Sequence, residues 1–187
     1  YTTDNGPWLP FKHHGGSAGP LRDGKGTTFE GGQRVPCVMW APGRIPANSE
    51  CHELMGTIDL LPTIAALTET PLPVGQKIDG LNASSLLAGD KKSPRNEFLY
   101  YTSRGDLEGI RKDKWKLLVK KKRKPRNAGK NWKAPAPEIL LFDIIADMGE
   151  KTNLANKHPQ KVQELTGRME NLDAEITKNA REPWYKQ

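Results

Sequence analysis

Closely spaced glycines and small polar residues make up the beginning of the chain and limit its possible structure more than any other feature. A first run, Tyr1-Thr2-Thr3-Asp4-Asn5-Gly6, is followed by a second, Gly19-Pro20-Leu21-Arg22-Asp23-Gly24-Lys25-Gly26-Thr27-Thr28-Phe29-Glu30-Gly31-Gly32. Glycine at this density permits positive φ and lets the backbone approach a ligand closely. Residues 1–34 are therefore predicted to form mainly loops, and these loops are predicted to line a binding site.

The polar side chains of these two runs are suited to binding a cation and an anion. Asp4 and Asn5 offer a carboxylate and an amide oxygen to a hard cation such as Ca²⁺ or Mg²⁺. Lys25, which lies between two glycines, carries a compact positive charge that suits an oxyanion. An isolated Asp-Asn-Gly is more often a turn than a metal site. The second glycine run, with its lysine, favours the metal site here.

In these motifs the chain resembles the sulfatase family, the arylsulfatase-like branch of the alkaline phosphatase superfamily. Members of that family carry T-S-D-N-G and then G-x-L-R-x-G-K-x-T-x-x-E-G-G, in the order found here. The resemblance implies that Asp4 and Asn5 are metal ligands and that Lys25 contacts the sulfate as a catalytic, substrate-binding residue. It also implies a Ca²⁺ or Mg²⁺ cofactor and a formylglycine nucleophile that lies upstream of these motifs, outside this chain.

Four other residues in or between these motifs are assigned roles from less specific sequence signals. His13 and His14 lie between the metal and lysine motifs, and they are candidate substrate-binding residues at the site entrance. The alternative is a solvated histidine pair on a polar loop. For Arg22 and Glu30 we favour an internal ion pair or loop brace over contact with the substrate.

The middle of the chain predicts one strand and two helices. The apolar run Arg34–Trp40 is typical of a buried strand of a mixed sheet, and 57–69 is typical of a helix packed on that sheet with Pro62 in its first turn. Residues 82–87 predict a short capped helix. Cys37 is expected to be buried in the strand and unpaired, although a bridge to Cys51 stays an alternative.

The second half of the chain predicts an antiparallel sheet and a helix. Strand-like runs occupy 98–101, 107–111, 115–119 and 139–143. A helix is predicted from Pro159, because apolar residues recur at alternating steps of three and four: Val162, Leu165, Met169, Leu172 and Ile176. The segment from 141 to 155, which includes Leu-Phe-Asp, Asp-Met-Gly-Glu and Asn-Leu, resembles the family's L-Y-D-x-x-x-D-P-x-E-x-x-N-L.

The expected fold class is α/β, namely the C-terminal part of a sulfatase-type, alkaline-phosphatase-like fold with a small four-stranded antiparallel sheet and a C-terminal helix. Residues 1–75 are assigned to the end of the large α/β domain with its active-site loops, and 76–187 to the small C-terminal subdomain. The resemblance implies that a missing N-terminal part supplies the nucleophile and further metal carboxylates. This chain alone is then expected to be inactive.

A basic segment is the second distinctive feature of the sequence. The chain carries a net charge of +7, but residues 111–133 hold twelve lysines or arginines against one aspartate, a net +11. Three interpretations of 120–133 stay open. The segment is a solvated mobile loop, a collar that attracts a sulfated polysaccharide, or, least favoured, a surface for nucleic acid.

The expected function is hydrolysis of sulfate esters, on a sulfated small molecule or polysaccharide. Two alternatives stay open: a phosphonate or phosphate ester hydrolase of the same superfamily, and a non-catalytic module that binds polyanions. The sequence contains no run of 18 apolar residues, so it does not predict a transmembrane helix. The family resemblance implies a periplasmic, secreted or lysosomal location.

Overall fold

The computed structural model describes residues 1–90, 92–122, 124–125, 127 and 131–182. The chain divides into two packed units, the first formed by Tyr1 and Cys37–Glu97 and the second by Thr2–Pro36 and Phe98–Gln187. The boundary between these units differs from the predicted domain boundary at residue 75. The assignment of 1–75 and 76–187 to two domains of a larger enzyme stays a prediction. No helix of the described residues is both long and apolar enough to span a bilayer.

The second unit contains the predicted sheet. Its four strands are hydrogen-bonded in the order β1-β2-β3-β4, and β3 pairs antiparallel with both β2 and β4. The strands are β1 (Glu97–Tyr101), β2 (Leu107–Lys112), β3 (Trp115–Lys120) and β4 (Glu138–Asp143). The predicted four-stranded antiparallel sheet is therefore confirmed, with strand ends within one residue of those expected.

One face of the sheet packs against the long C-terminal helix. This helix, α4 (Pro159–Asn179), lies over β2 and β3. Strand side chains alternate between faces, so Leu117 points to α4 while its neighbours point away. The buried core on this face consists of Leu99, Ile110, Leu117, Leu141, Ala155, Leu165 and Met169, with Val162, Leu172 and Ile176 packed around it. The predicted apolar stripe of α4 is confirmed.

The opposite face of the sheet packs against the second glycine run. Phe29, which immediately precedes the short helix α1 (Glu30–Gln33), is buried with Leu118, Leu140, Phe142 and Ile144. Leu118 of β3 stands opposite Leu140 of β4, which explains why both side chains meet the same aromatic ring. The loop of residues 22–31, which carries Lys25 and is called the lysine loop below, is thus held on the sheet by Phe29, an apolar anchor four residues after Lys25.

In the first unit the predicted buried strand is wrong. Only Cys37 forms an isolated bridge, and Val38 exchanges main-chain hydrogen bonds with Tyr1. Val38 and Trp40 are 63% and 86% exposed, because the described residues place no second sheet or helix over them. Cys37 is also exposed, which corrects its expected burial, whereas the expectation that it and Cys51 are unpaired is confirmed.

The helices of the first unit are shorter than predicted and pack differently. A turn of 3₁₀ helix (Thr57–Asp59) leads into α2 (Leu60–Leu67), and α3 spans Ser84–Leu87. Pro62 lies in the first turn of α2, as predicted. The apolar face of α2 does not pack on a sheet within the described residues, since Leu61 and Ile64 are each 56% exposed.

A buried carboxylate holds the first unit together. Asp59 is 1% exposed and accepts hydrogen bonds from Nε and Nη2 of Arg95, and from the main-chain N–H groups of Gly56 and Leu81. Burial alone would raise the pKa of Asp59. The bonds from Arg95, Gly56 and Leu81 outweigh burial and hold this pKa below its usual value.

We predict that Asp59→Asn destabilises the protein by about 3 kcal/mol at neutral pH, since it removes the buried carboxylate charge that pairs with the Arg95 guanidinium. The folded pKa of Asp59 lies below its ordinary value of 3.8, so the wild type has this stabilisation above that pH and loses it as pH falls. Urea unfolding at pH 7 and at pH 3 should therefore show the difference between variants narrowing in acid. The exposed Asp90→Asn is the control, and an unchanged difference at both pH values would contradict the prediction.

Candidate active-site loops

Main-chain hydrogen bonds bring the metal motif and the lysine motif together within the second unit. The N–H of Lys25 donates to the carbonyl oxygen of Pro7 at 2.9 Å, and the N–H of Gly6 donates to the carbonyl oxygen of Gly32 at 3.2 Å. The two runs that are separate in the sequence therefore lie side by side in the structure.

Glycine is required where these runs meet. A Cβ atom on Gly6 would lie 1.7 Å from the carbonyl oxygen of Gly31, and one on Gly24 would lie 2.4 Å from that of Pro7. A Cβ on Gly31 would lie 2.2 Å from the carbonyl oxygen of Asp23. Each of these distances is shorter than any real contact, so only glycine permits the backbones to approach this closely.

Asp4 and Asn5 form part of a possible cation site. The side-chain amide of Asn5 donates to Oδ2 of Asp4 at 2.6 Å, which leaves Oδ1 of each residue without a described hydrogen-bond partner. Within the described part of the chain, no three or more His, Cys, Asp or Glu side chains cluster in a way that could hold a metal ion. The chemistry of the pair fits a hard cation, but Ca²⁺ needs six to eight ligands. The metal role of both residues stays a prediction.

The side chain of Lys25 is exposed beside an aromatic ring. Its ammonium lies 5.8 Å from the ring centroid of Trp8, and none of the carboxylates that the structure describes forms an ion pair with it. An exposed ammonium without a paired carboxylate retains its full charge for an external anion. This environment suits the sulfate contact predicted from the motif, which itself stays a prediction.

His13 and His14 lie on a turn that precedes the lysine loop. They end a 3₁₀ segment (Leu9–His14), and both side chains are exposed. The segment is closed by a hydrogen bond from the N–H of Trp8 to the carbonyl oxygen of Gly15. Exposure on a turn beside the metal motif is compatible with the predicted substrate contact and equally with a solvated pair, so their role stays a prediction.

A buried lysine pairs with two buried glutamates beneath the lysine loop. Nζ of Lys116 lies 2.8 Å from Oε1 of Glu30 and 2.9 Å from Oε1 of Glu150, and none of the three side chains is more than 2% exposed. The internal ion pair predicted for Glu30 is confirmed. Lys116 was counted in the basic segment, yet it contributes no surface charge. Its position, two residues before Leu118 on the same face of β3, is the sequence signal for burial.

The ion cluster has more negative than positive groups. Burial raises the pKa of Glu150, and the Lys116 ammonium offsets that rise only in part. The ammonium also lies 4.5 Å from the ring centroid of Tyr100. Burial, and then the nearby Glu30 carboxylate, raises the pKa of Tyr100, which therefore stays a neutral phenol.

Arg22 connects the other end of the lysine loop to the same cluster. Its Nη1 donates to the main-chain carbonyl oxygen of Glu150 at 2.8 Å, and its guanidinium carbon lies 3.9 Å from the ring centroid of Phe29. The brace predicted for Arg22 is confirmed.

Lys120, the first residue of the 120–133 part of the basic segment, contacts the lysine loop. Nζ of Lys120 lies 3.2 Å from Oε2 of Glu108 and 3.5 Å from Oγ1 of Thr28, and the Thr28 hydroxyl donates to the same Oε2. Lys120 is therefore a paired residue and not a free member of a collar. Lys121, Lys122 and Lys124 are exposed, whereas Arg123, Arg126 and Lys130 lie outside the described residues.

Comparison with known proteins identifies the class to which this fold and these loops belong. A sulfatase family profile matches residues 1–70. Arylsulfatase A of Bos taurus is 39% identical over 166 residues, which are 82% of this chain and 32% of that protein. The chain belongs to the sulfatase family. It spans about a third of the length of such relatives.

Solved structures agree with this assignment. The PsFucS1 sulfatase from Pseudoalteromonas sp. superimposes with a TM-score of 0.79 at 27% identity, over 97% of this chain and 38% of that one. Ps i-CgsB, solved in complex with k-i-k-neocarrahexaose, gives a TM-score of 0.71 at 27% identity over 91% of this chain and 35% of that one.

We predict opposite effects of alanine at two glycines of the second unit. Gly31→Ala should lower the free energy of unfolding by about 3 kcal/mol, because the new Cβ would meet two carbonyl oxygens at 2.2 and 2.5 Å. Gly167→Ala should raise it by up to about 1 kcal/mol, since no atom lies within 4 Å and alanine is the better helix former. Urea unfolding of the two variants measures both changes in the free energy of unfolding. Equal changes would contradict the close contact of the backbones at Gly31.

Proposed function

We propose that this chain is the C-terminal part of a sulfatase that hydrolyses sulfate esters. The observation that carries the proposal is the pairing of the metal and lysine motifs through the Lys25–Pro7 and Gly6–Gly32 hydrogen bonds. A carboxylate, an amide and an ammonium that pairs with none of the described carboxylates lie on neighbouring loops, and they offer both signs of charge to a sulfate group and its counter-cation.

In this proposal Asp4 and Asn5 contribute two oxygen ligands to a Ca²⁺ or Mg²⁺ ion. When bound, such an ion polarises the sulfate oxygens as a Lewis acid. Lys25 binds a sulfate oxygen and stabilises the negative charge that grows on the ester as its S–O bond breaks. His13 and His14, exposed on the preceding turn, contact the remainder of the substrate.

The nucleophile and the remaining metal ligands are assigned to sulfatase residues outside this chain. Two donors leave a hard cation with four or more ligands to find. The exposed apolar side chains of the first unit also support an additional partner surface. These are Val38, Trp40, Ile58, Leu61, Ile64 and Val74, the last of which is 97% exposed. By family resemblance the missing nucleophile is a formylglycine, and this chain alone is inactive.

A sulfated polysaccharide is the substrate that the charge distribution favours. Lys120 contacts Thr28, three residues after Lys25, so the exposed Lys121 and Lys122 follow directly from the edge of the lysine loop. Cations placed there attract a polyanion over about 8 Å at physiological salt. The related Ps i-CgsB was solved with an oligosaccharide, k-i-k-neocarrahexaose. We place the enzyme in a periplasmic, secreted or lysosomal compartment on the family resemblance.

We predict that Lys25→Ala in the whole enzyme lowers kcat/KM for an aryl sulfate by about a hundredfold to a thousandfold, because a preorganised donor to the developing oxyanion is lost. Initial rates with an aryl sulfate and with the matching aryl phosphate and phosphonate measure this loss and identify the ester class.

Lys25→Arg is the matched variant, and it should not restore the rate, since a planar guanidinium differs from a compact ammonium in reach and geometry. Lys178→Ala, an exposed lysine near the end of α4, is the control for loss of a positive charge. Near-normal turnover by Lys25→Ala would overturn the assignment of Lys25. Preference for the phosphate or phosphonate ester would favour the alternative hydrolase.

We predict that the exposed part of the basic segment acts on substrate capture alone. Neutralising Lys121, Lys122 and Lys124 together as glutamines should raise KM for a sulfated oligosaccharide, and added salt should erase the difference. The kcat for a small aryl sulfate should stay unchanged, because long-range attraction of a monovalent ester is weak.

Lys120 is left intact in this variant because it pairs with Glu108. A triple change of Lys92, Lys157 and Lys178, which are exposed elsewhere, serves as the charge-matched control. An equal response of both substrates, or of neither, would exclude the collar and leave the segment as a solvated loop. If the protein hydrolyses none of these esters, heparin affinity that survives Lys25→Ala but is lost when Lys121, Lys122 and Lys124 are neutralised would favour the polyanion-binding module.

A further inference from the structure

The loop that carries Lys25 is closed at its base. The N–H of Gly31 donates to the carbonyl oxygen of Arg22 at 2.8 Å, so residues 22–31 leave and rejoin the unit at one point. Within the loop, Thr27 folds back, with its N–H and its hydroxyl both donating to the carbonyl oxygen of Gly24. Lys25 is exposed at the far side of this closed loop. Its position therefore depends on the contacts that hold the base, together with the hydrogen bond from its own N–H to the carbonyl oxygen of Pro7.

Glu150 contacts both ends of that base. Its carboxylate oxygen Oε2 accepts a hydrogen bond from the N–H of Glu30 at 2.6 Å. Its main-chain carbonyl oxygen accepts one from Nη1 of Arg22 at 2.8 Å. One residue, which lies 125 positions after Lys25 in the sequence, therefore contacts both Arg22, where the chain enters the loop, and Glu30, where it leaves the loop.

We infer that Glu150 is a positioning residue for Lys25, which it holds in place through the base of the 22–31 loop. This inference rests on the proposed sulfate-binding role of Lys25. Glu150 itself is completely buried and does not touch the substrate. Its effect on the reaction is indirect, through the loop backbone that connects Arg22 and Glu30 to Lys25.

Lys116 makes this anchor rigid. Its ammonium pairs with the carboxylates of both Glu30 and Glu150, and β3 holds it by pairing with β2 and β4. A buried ion cluster of this kind does not exchange partners with water, so its members keep one arrangement. The sheet therefore restrains the loop through the side chains of Lys116, Glu30 and Glu150 and through the hydrogen bond from Arg22 to Glu150.

The test compares two changes at Glu150. In Glu150→Ala the Glu30 N–H loses its acceptor, and amide exchange of residues 22–32 in the full chain should become about tenfold faster or more. In Glu150→Gln the side-chain oxygen still accepts that N–H while Glu30 keeps its pair with Lys116, so exchange should stay close to wild type. The whole enzyme carrying the alanine should lose about tenfold to a hundredfold in kcat/KM, mainly in kcat, and the glutamine should restore most of it.

Two further variants separate positioning from general loss of stability. Arg22 is exposed, and Arg22→Gln removes its hydrogen bond to the carbonyl oxygen of Glu150. Amide exchange of residues 22–32 should become faster in this variant, which gives a second test if Glu150→Ala does not fold. Leu165→Ala opens the core beneath α4, on the opposite face of the sheet, and should lower global stability without speeding local exchange of 22–32. Its kcat should match wild type.

The outcomes distinguish this inference from the proposed function. Loop exchange unchanged in both Glu150→Ala and Arg22→Gln, or faster to the same degree in Leu165→Ala, would overturn the positioning role. Loss of kcat that glutamine does not restore, with an unchanged loop, would overturn it as well. Normal turnover by Lys25→Ala would overturn the proposed function alone, since the exchange measurement needs no substrate.

Discussion

The second unit depends on one buried ammonium, that of Lys116, which two buried carboxylates share. Breaking such a cluster leaves an uncompensated charge in the interior and costs about 3–5 kcal/mol, so a change at one member affects the other two. The cluster joins β3, the short helix α1 that precedes the sheet and the segment that follows β4. Apolar packing around Phe29 supports the same junction, and the ion cluster determines which atoms meet there.

Regular elements with a strong local pattern could be predicted from the sequence. The four strands and α4 follow from alternation and from the spacing of apolar residues, both of which are local properties. Arg34–Trp40 shows the limit, because an apolar run is buried only if another surface covers it. Lys116 shows a second limit, since a charge count over a window ignores which face of a strand each residue occupies.

The candidate site divides in the same way. Asp4, Asn5 and Lys25 are predicted from contiguous motifs, and the structure brings those motifs together through main-chain hydrogen bonds. Glu150 was not found as their support, because its contacts with the lysine loop span more than a hundred residues of sequence. Residues that act on a site indirectly leave no local pattern, so only the packed structure identifies them.

The pairing of Lys120 with Glu138 at the ends of β3 and β4 has an evolutionary consequence. The connection between these two residues begins and ends at fixed points of the sheet. Insertions, deletions and changes of charge within 121–137 can therefore accumulate without shifting strand register, because lengthening a surface loop costs little free energy. Under the role in substrate capture that we propose for 121–124, such changes would alter the attraction for a polyanion and leave the fold of the sheet intact.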